Sequence, residues 1–497
     1  MVKVTSALNM RRSDAHTVKT KISSRELMAR AGKAVFDSVA WIPPVAIVCG
    51  VGNNAGDGFV IAGLMHEAGI ECTLFLLADK FSEDGKYFYE KCIESGVKAV
   101  YGADSLCLDG YQTVADCIFG TGFSGEVKEP YSTAISRINQ SRAYVVSVDI
   151  NSGLNADSGL GEVCVHSDLT VSLGDFKSGL FLNSAKDVIK KKINCDIGIE
   201  LLEEPAYLVE ADNIKHLFEN RPNNSNKGTY GYVAVVGGSI EYSGAVKLAN
   251  LSMSALRAGA GVAKLAVPDC ISHGVLPYLL ESTLFPLDSK NGKYVFDAET
   301  TRRMTAGTAA AAVGMGMGRS DEVKKLIEYL IINYSGRLIV DADGLNALSE
   351  LDRSVLRSAA GRVILTPHPK EFERLSGLSV REILNDPITA AKEYAASNGV
   401  ILLLKGPATV ITDGNTVYMT DRGCAGMATA GSGDVLSGII AGICGYAKTE
   451  DLLLSVAAGA YVNGLAGEIA CRDIPEVSMT AKDTVTAIPS ALREILL

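Results

Sequence analysis

The chain is 497 residues long, with 47% hydrophobic and 21% charged residues and a formal net charge of -10. That length exceeds one ordinary hydrophobic core and predicts two large domains, while the acidic balance argues against a nucleic-acid partner held by a basic surface. The 50 glycines follow no collagen-like period, so they point to tight strand-to-helix turns of the kind found in nucleotide-binding α/β proteins.

In chain order, Ser23-Ser24-Arg25-Glu26 is a capping box. It opens an amphipathic helix with Leu27, Met28, Ala31, Val35, Phe36 and Val39 at helical spacing, running to about Ala40. Pro43-Pro44 ends it, and the apolar strand 45–49 feeds the turn GVGNNAGDG and a second helix. Strand, glycine turn and helix begin a doubly wound unit, and the alternation recurs at 72–77, 113–119 and 144–149, which predicts a mostly parallel sheet. From Glu203 the pattern yields to a polar stretch that closes with 220–228, so a boundary is expected near residue 210, with domains at 1–208 and 220–497. A second glycine-rich α/β series follows at 232–236, 262–267, 309–313, 337–340, 362–365 and 399–404.

Three strand ends of the first domain join acid to glycine. Asn53, Asn54 and Asp57 lie in the first turn, Asp116 precedes FGTGFSGE, and Asp149 leads into Ile150-Asn151-Ser152-Gly153. Ligands collect at the carboxyl ends of such strands, so one shared site is expected, its amide and carboxylate oxygens suited to ribose hydroxyls or a hard cation. In the second domain, GCAGMATAGSGDVLSGIIAG spans 423–442. Its small residues let backbone approach a ligand, and the N-H groups of the following helix form an anion hole. Asp434, at that helix opening, stands where a base would take the proton of a hydroxyl beside the bound phosphate. An acid that simply favours the helix dipole is the plain alternative.

Eleven cysteines are scattered singly, without Cys-x-x-Cys or a His-Cys grouping, which disfavours metal and disulfide frameworks and fits a reducing cytoplasm. The N-terminus lacks a charged-then-apolar signal pattern, and the apolar stretch 452–470 is interrupted by Asn463 and Glu468, so no membrane association is expected.

Residues 1–205, through GNNAGDG, DCIFGTGFSGE and VDINSG, resemble the epimerase domain that acts on hydrated nicotinamide nucleotides. Residues 225–495, through KGTYG, GGSIEYSGA, GMGMG, DADGLNAL, LTPHPKE, KGPATVI and GMATAGSGD, resemble the ribokinase-like dehydratase that repairs the same damaged cofactors, in the order of the fused bifunctional family. The resemblance implies an α/β chain with a Rossmann-like three-layer domain followed by a ribokinase-like one, taking hydrated NADH or NADPH together with ADP or ATP. Homo-oligomerisation is expected of this fold class, with the small-residue helix near Ala457 as a packing face.

By the same resemblance, Asn53, Asn54, Ala55, Gly56 and Asp57 would hold the hydrated cofactor together with Gly120, Thr121, Gly122, Phe123, Ser124, Gly125 and Glu126. Asn54, Asp116 and Ser152 would ligate a potassium ion, and Asp149 would contact substrate and carry the acid-base role. In the second domain Asp434 would be the base, with the N-H groups around Gly431, Ser432 and Gly433 stabilising developing charge. Lys405, Gly406, Pro407, Ala408 and Thr409 would meet the phosphates of a magnesium-bound nucleotide, and Gly261, Gly316 and His368 would border the hydrated ring. Asp341 and Asp343 would orient loops or a magnesium ion. The chain departs from the family pattern at Ala55, Asn151, Met315, Met317, Lys370 and Cys424.

Two rival readings use the same residues. A ribokinase-class small-alcohol kinase fused to a nucleotide-binding module would leave a stable phosphorylated product. An N-terminal half that only senses nucleotide would have no need of Asn54, Asp116 and Asp149 together.

Overall fold

The computed structural model describes residues 1–218, 221–253, 257–359, 361–446 and 451–497; Asn220, in the polar stretch named above, lies outside them. Contacts divide the chain into Lys3–Pro205 and Ala206–Leu497, the latter joined by Met1–Val2.

The N-terminal unit opens with a helix that hydrophobic periodicity does not reveal, Ala7–Thr20, capped by the Ser6 side chain. Its buried face includes Asn9, Ser13 and Thr17 as well as Ala7 and Met10, so its inward stripe is partly polar. Asn9 Nδ2 donates to Thr5 Oγ1 at 2.9 Å and Ser13 Oγ to the Asn9 carbonyl at 2.7 Å, while the N-H groups of Glu203 and Leu202 donate to Asn9 Oδ1 and Ser13 Oγ at 3.1 Å, so the stripe is satisfied partly within the helix and partly by the 202–203 segment. The expected helix follows as Ser24–Ser38, capped by Ser23. Seven strands form one sheet in the order Lys98–Tyr101, Cys72–Leu76, Val45–Cys49, Thr113–Cys117, Tyr144–Val148, Leu169–Leu173, Lys192–Cys195. Every pairing is parallel. Chain order reverses between Val45–Cys49 and Thr113–Cys117, which places a topological switch point beside Asn53 and Phe119.

The C-terminal unit carries a sheet ordered Thr283–Leu287, Val262–Pro268, Tyr232–Val236, Ala310–Val313, Arg337–Val340, Val363–Leu365, Ile401–Leu404, Thr409–Thr412, Val417–Thr420, Ala206–Leu208. It is parallel as far as Ile401–Leu404, and then turns antiparallel through the hairpin Thr409–Thr412/Val417–Thr420. Sequence periodicity misses that hairpin, the edge strand Thr283–Leu287 and Ala206–Leu208. All three are short, and Pro286 reads as a strand breaker but is tolerated at a sheet edge. Ala206–Leu208 pairs with Val417–Thr420, so the unit begins before the boundary expected near residue 210.

Helix Ser432–Tyr446 is buried from Val435 to Gly445 and packs against Ser243–Met253 and Leu452–Ala470. Leu452–Ala470 is long and apolar enough by length and composition to cross a membrane, but 83% of its apolar window is buried inside the unit. Ala457 is fully covered there, so the face expected to meet a neighbouring copy is filled by the chain's own core.

Candidate active sites

At the switch point of the N-terminal unit the strand ends enclose a cavity of about 780 Å³. Asn53, Asn54, Asp57, Gly120, Thr121, Gly122, Phe123, Ser124 and Asp149 all line it. Ala55 is buried in the first helical turn, Gly56 packs against Met28, and Gly125 and Glu126 lie exposed. Asp149 adopts φ 68°, a left-handed conformation that Asp tolerates better than most side chains.

Two residues that sequence reasoning passed over complete this site. Lys177, 1% exposed, donates to Asp149 Oδ1 at 2.5 Å and to the Leu173 carbonyl at 2.6 Å. Asp14, on the polar N-terminal helix, lines the same cavity. Burial raises the Asp14 carboxyl to about 6, with Lys177 opposing and Asp149 adding to the rise. Burial, then Asp149 and Asp14, push Asp57 well above its ordinary value. Lys177 is bonded to Asp149 alone, and Asp14 and Asp57 feel its charge at longer range, where burial outweighs it and favours their protonated forms. The sequence signal for Lys177 is only a lysine after a strand and a Gly174-Asp175 turn, which reads as solvated until the fold buries it.

Asn54, which lines the cavity, is linked to buried Asp116 and Ser152 through the Phe119 carbonyl. Ser152 Oγ donates to Asp116 Oδ1 at 2.5 Å, Ser147 Oγ to Asp116 Oδ2 at 2.9 Å, and the Ser152 N-H to the same Oδ2 at 2.9 Å. Asn54 Nδ2 donates to the Phe119 carbonyl at 2.8 Å, while Asn54 Oδ1 is buried without a hydrogen-bond partner. Burial raises Asp116 despite the bonds from Ser152 and Ser147.

In the C-terminal unit, Asp434 sits in the first turn of Ser432–Tyr446. Burial raises its carboxyl to about 7, with Asp341 adding, Lys405 opposing and Asp343 adding. Lys405 Nζ lies 3.1 Å from Asp341 Oδ1 and 3.8 Å from Glu371 Oε2. Burial alone would lower this ammonium, but Asp341 and Glu371 outweigh it and hold the group above its ordinary value. A side-chain carbon placed on Gly433 would be 3.4 Å from Lys405 Nζ, which puts the anion turn directly beside the lysine. Ser432 Oγ is buried without a hydrogen-bond partner, as a group awaiting a ligand oxygen would be. Asp341 Oδ2 accepts from Ser437 Oγ at 2.6 Å and Asp343 Oδ2 from the Gly318 N-H at 2.8 Å, so both acids orient structure around the base. Gly406 and Pro407 are exposed, Ala408 is buried, and Thr409 opens the hairpin.

His368 caps Pro369–Ser376, its Nδ1 accepting from the N-H groups of Lys370 at 3.2 Å and Glu371 at 3.3 Å. Those bonds leave a proton on Nε2, 3.5 Å from Glu371 Oε1; burial lowers the ring's pKa, with Glu371 opposing. Gly316 lines a cavity of about 560 Å³ with Ser239, Tyr242, Arg319 and Asp343.

Gly261 stands apart from that group. It precedes Val262–Pro268, at the amino edge of the parallel sheet, whereas Asp341 and Lys405 follow the carboxyl ends of theirs. A side-chain carbon on Gly261 would come within 1.8 Å of the Lys227 carbonyl oxygen. Gly261→Ala is therefore expected to cost about 1–3 kcal/mol or more by overpacking. Urea unfolding should detect the loss while the nucleotide KM of the remaining folded enzyme stays unchanged.

Two family profiles match the chain: one described as NAD(P)H-hydrate dehydratase over residues 233–490, the other as YjeF-related protein N-terminus over residues 24–179. A bifunctional NAD(P)H-hydrate repair enzyme of Pyrobaculum aerophilum is 33% identical over 484 residues, covering 94% of this chain and 93% of the relative. Its counterpart in Moorella thermoacetica is 35% identical over 503 residues, covering 95% and 93%. Among solved structures, a ribokinase-like superfamily protein of Enterococcus faecalis aligns at TM-score 0.51 and 20% identity, covering 60% of this chain and 98% of its own, a likeness of fold.

Proposed function

The chain belongs to the family of bifunctional NAD(P)H-hydrate repair enzymes, and from that premise we propose that its N-terminal unit interconverts the R and S hydrates while its C-terminal unit dehydrates the S hydrate at the expense of ADP or ATP. The observation that carries the second activity is Asp434, a carboxyl raised to about 7 at a helix N-terminus beside Lys405. Asp434 takes the proton of the ring hydroxyl as its oxygen attacks the terminal phosphoryl group of the nucleotide. The N-H groups around Gly431, Ser432 and Gly433 and the Lys405 ammonium stabilise the charge that develops. Phosphate is a better leaving group than hydroxide, so the ring nitrogen expels it, and loss of a proton from the adjacent carbon restores the reduced ring.

In the N-terminal unit, Asp149, held by Lys177, serves as the acid-base group for loss and return of the hydroxyl or for ring opening, with Asp14 and Asp57 as neighbouring proton reservoirs. A potassium ion fits the orphaned Asn54 Oδ1, with Asp116, Ser152 and the Phe119 carbonyl around it. Such an ion supplies a fixed positive charge that anchors the substrate-binding turns. Epimerisation is expected to fall when potassium is replaced by N-methylglucamine, and Asn54→Ala to lose that dependence, as cation titrations of the epimerisation rate would reveal. Asp341 accepts from Lys405 and Ser437, and Asp343 holds Gly318; a magnesium ion carried by the nucleotide phosphates would neutralise charge beside them.

The deciding experiment adds the protein to a mixed-epimer preparation of hydrated NADH with ADP or ATP in separate cuvettes, and follows reduced nicotinamide by absorbance. Recovery of both epimers supports both activities and names the donor, while recovery of only one epimer removes the epimerase. A stable phosphorylated product without reduced cofactor would favour the small-alcohol kinase.

A further inference from the structure

Cys424 and Cys471 lie 47 residues apart in sequence, yet their Sγ atoms are 2.7 Å apart with no bond between them. A disulfide bond is about 2.04 Å long, so the pair stands roughly 0.7 Å from bonding. Cys424 heads the loop that runs into the anion turn, and Cys471 caps Leu452–Ala470. The two backbones are already fastened together. The Gly423 N-H donates to Glu468 Oε1 at 2.7 Å, Arg422 Nη1 to Glu468 Oε2 at 3.2 Å, and the Cys424 thiol points to the Gly467 carbonyl at 3.6 Å. Both cysteines are partly exposed, so a small reagent can reach them.

We propose that Cys424 and Cys471 are a redox-active dithiol that closes reversibly to a disulfide by exchange with a low-molecular-weight disulfide of the oxidised-glutathione class. One cysteine loses its proton and attacks a reagent sulfur; the reagent S-S bond breaks, and one reagent thiolate leaves. The second cysteine, deprotonated in turn, attacks the mixed disulfide, forms the Sγ-Sγ bond and expels the other reagent thiolate. The protein gives up two electrons and two protons, and the reagent takes them up as two thiols. Burial and the adjacent Cys424 push the Cys471 thiol up to about 12, and whichever cysteine attacks must first give up its proton, because the thiolate is the nucleophile. The closed bond ties the loop that leads to Asp434 onto the helix end.

A metal ion is the competing occupant, because Glu476 brings a carboxylate to the two thiols with all three ligand atoms within 4.8 Å of one another. Two thiolates about 2.3 Å from a tetrahedral zinc stand roughly 3.7 Å apart, so zinc would force the sulfurs about 1 Å further from each other. Disulfide closure needs a smaller movement.

The test incubates the folded full-length protein with oxidised glutathione, blocks remaining thiols and maps peptides by mass spectrometry. The exposed Cys107 and Cys270 serve as internal controls that accept only mixed adducts. A linked peptide pair through Cys424 and Cys471, reopened by dithiothreitol, is the expected result. Cys471→Ser should abolish the link and trap glutathione on Cys424. Free alkylation of both cysteines after oxidation, links no more frequent than at Cys107 and Cys270, or a stoichiometric zinc that shields both sulfurs in the purified protein would each overturn the proposal.

Discussion

Asp434→Asn is expected to lower dehydration of the S hydrate by about 10²–10⁴-fold, the usual worth of a positioned general base, while ADP or ATP still binds. The amide keeps the size of the carboxyl and its place at the helix mouth but cannot accept the hydroxyl proton. Single-turnover recovery of reduced cofactor, with nucleotide binding measured separately by calorimetry, checks both halves. Undiminished recovery would remove Asp434 from the chemistry. The pH dependence follows from the same group. Its carboxyl is raised to about 7, chiefly by burial, and only the ionised form is a base, so kcat/KM for dehydration should climb through about pH 7 and level off above it.

Stability should run the other way. The folded-state value, about 7, lies above the ordinary aspartate value of 3.8, so the folded state holds the proton more tightly, and this group's contribution to stability declines as pH rises from about 4 to about 7. Asp434→Asn removes that deficit. The variant should therefore melt higher than the parent at pH 8 and lose its advantage toward pH 4, a catalytic group gained at a cost in stability.

Asp149→Asn is expected to abolish epimerisation to a similar extent, about 10²–10⁴-fold, and to leave dehydration of pure S hydrate intact. Asparagine tolerates the left-handed backbone at this position, so the turn should survive. The larger structural cost falls on Lys177, 1% exposed, which keeps the Leu173 carbonyl but loses its carboxylate partner. Breaking a buried pair from one side typically costs about 3–5 kcal/mol, so the variant should also unfold earlier in urea. With a mixed-epimer substrate, recovery would stop near the amount of S hydrate supplied plus any spontaneous interconversion. Complete recovery at the parental rate would assign the proton transfer elsewhere in the cavity, with Asp14 the first group to examine.

The two acids that carry these expectations are visible without a structure, because each stands where local backbone geometry already limits what it can do. Asp434 follows a run of small residues into an apolar helix, and Asp149 ends an apolar strand. The parallel strands are legible for the same reason, since both faces are buried and the runs are uninterrupted. The helix Ala7–Thr20 is not, because its packed stripe is partly polar and pairs through Asn9 and Ser13 with the distant 202–203 segment. Asp14 goes unseen with it. Gly261 reads as part of a pocket until strand direction puts it at the other edge of the sheet from Lys405.

Short-range chemistry in the chain thus dictates strands, glycine turns and the small-residue helix start that opens at Asp434. Folding alone decides which charges share a space. Lys177 and Asp149, Lys405 and Asp341, and Cys424 and Cys471 are separated in sequence by 28, 64 and 47 residues. No local pattern encodes such distances. The two lysine pairs arise because, within each unit, parallel strands pack side by side to bury their apolar faces and bring the polar groups at their carboxyl ends together, whereas the cysteine pair forms where the end of helix Leu452–Ala470 packs against the loop after Val417–Thr420.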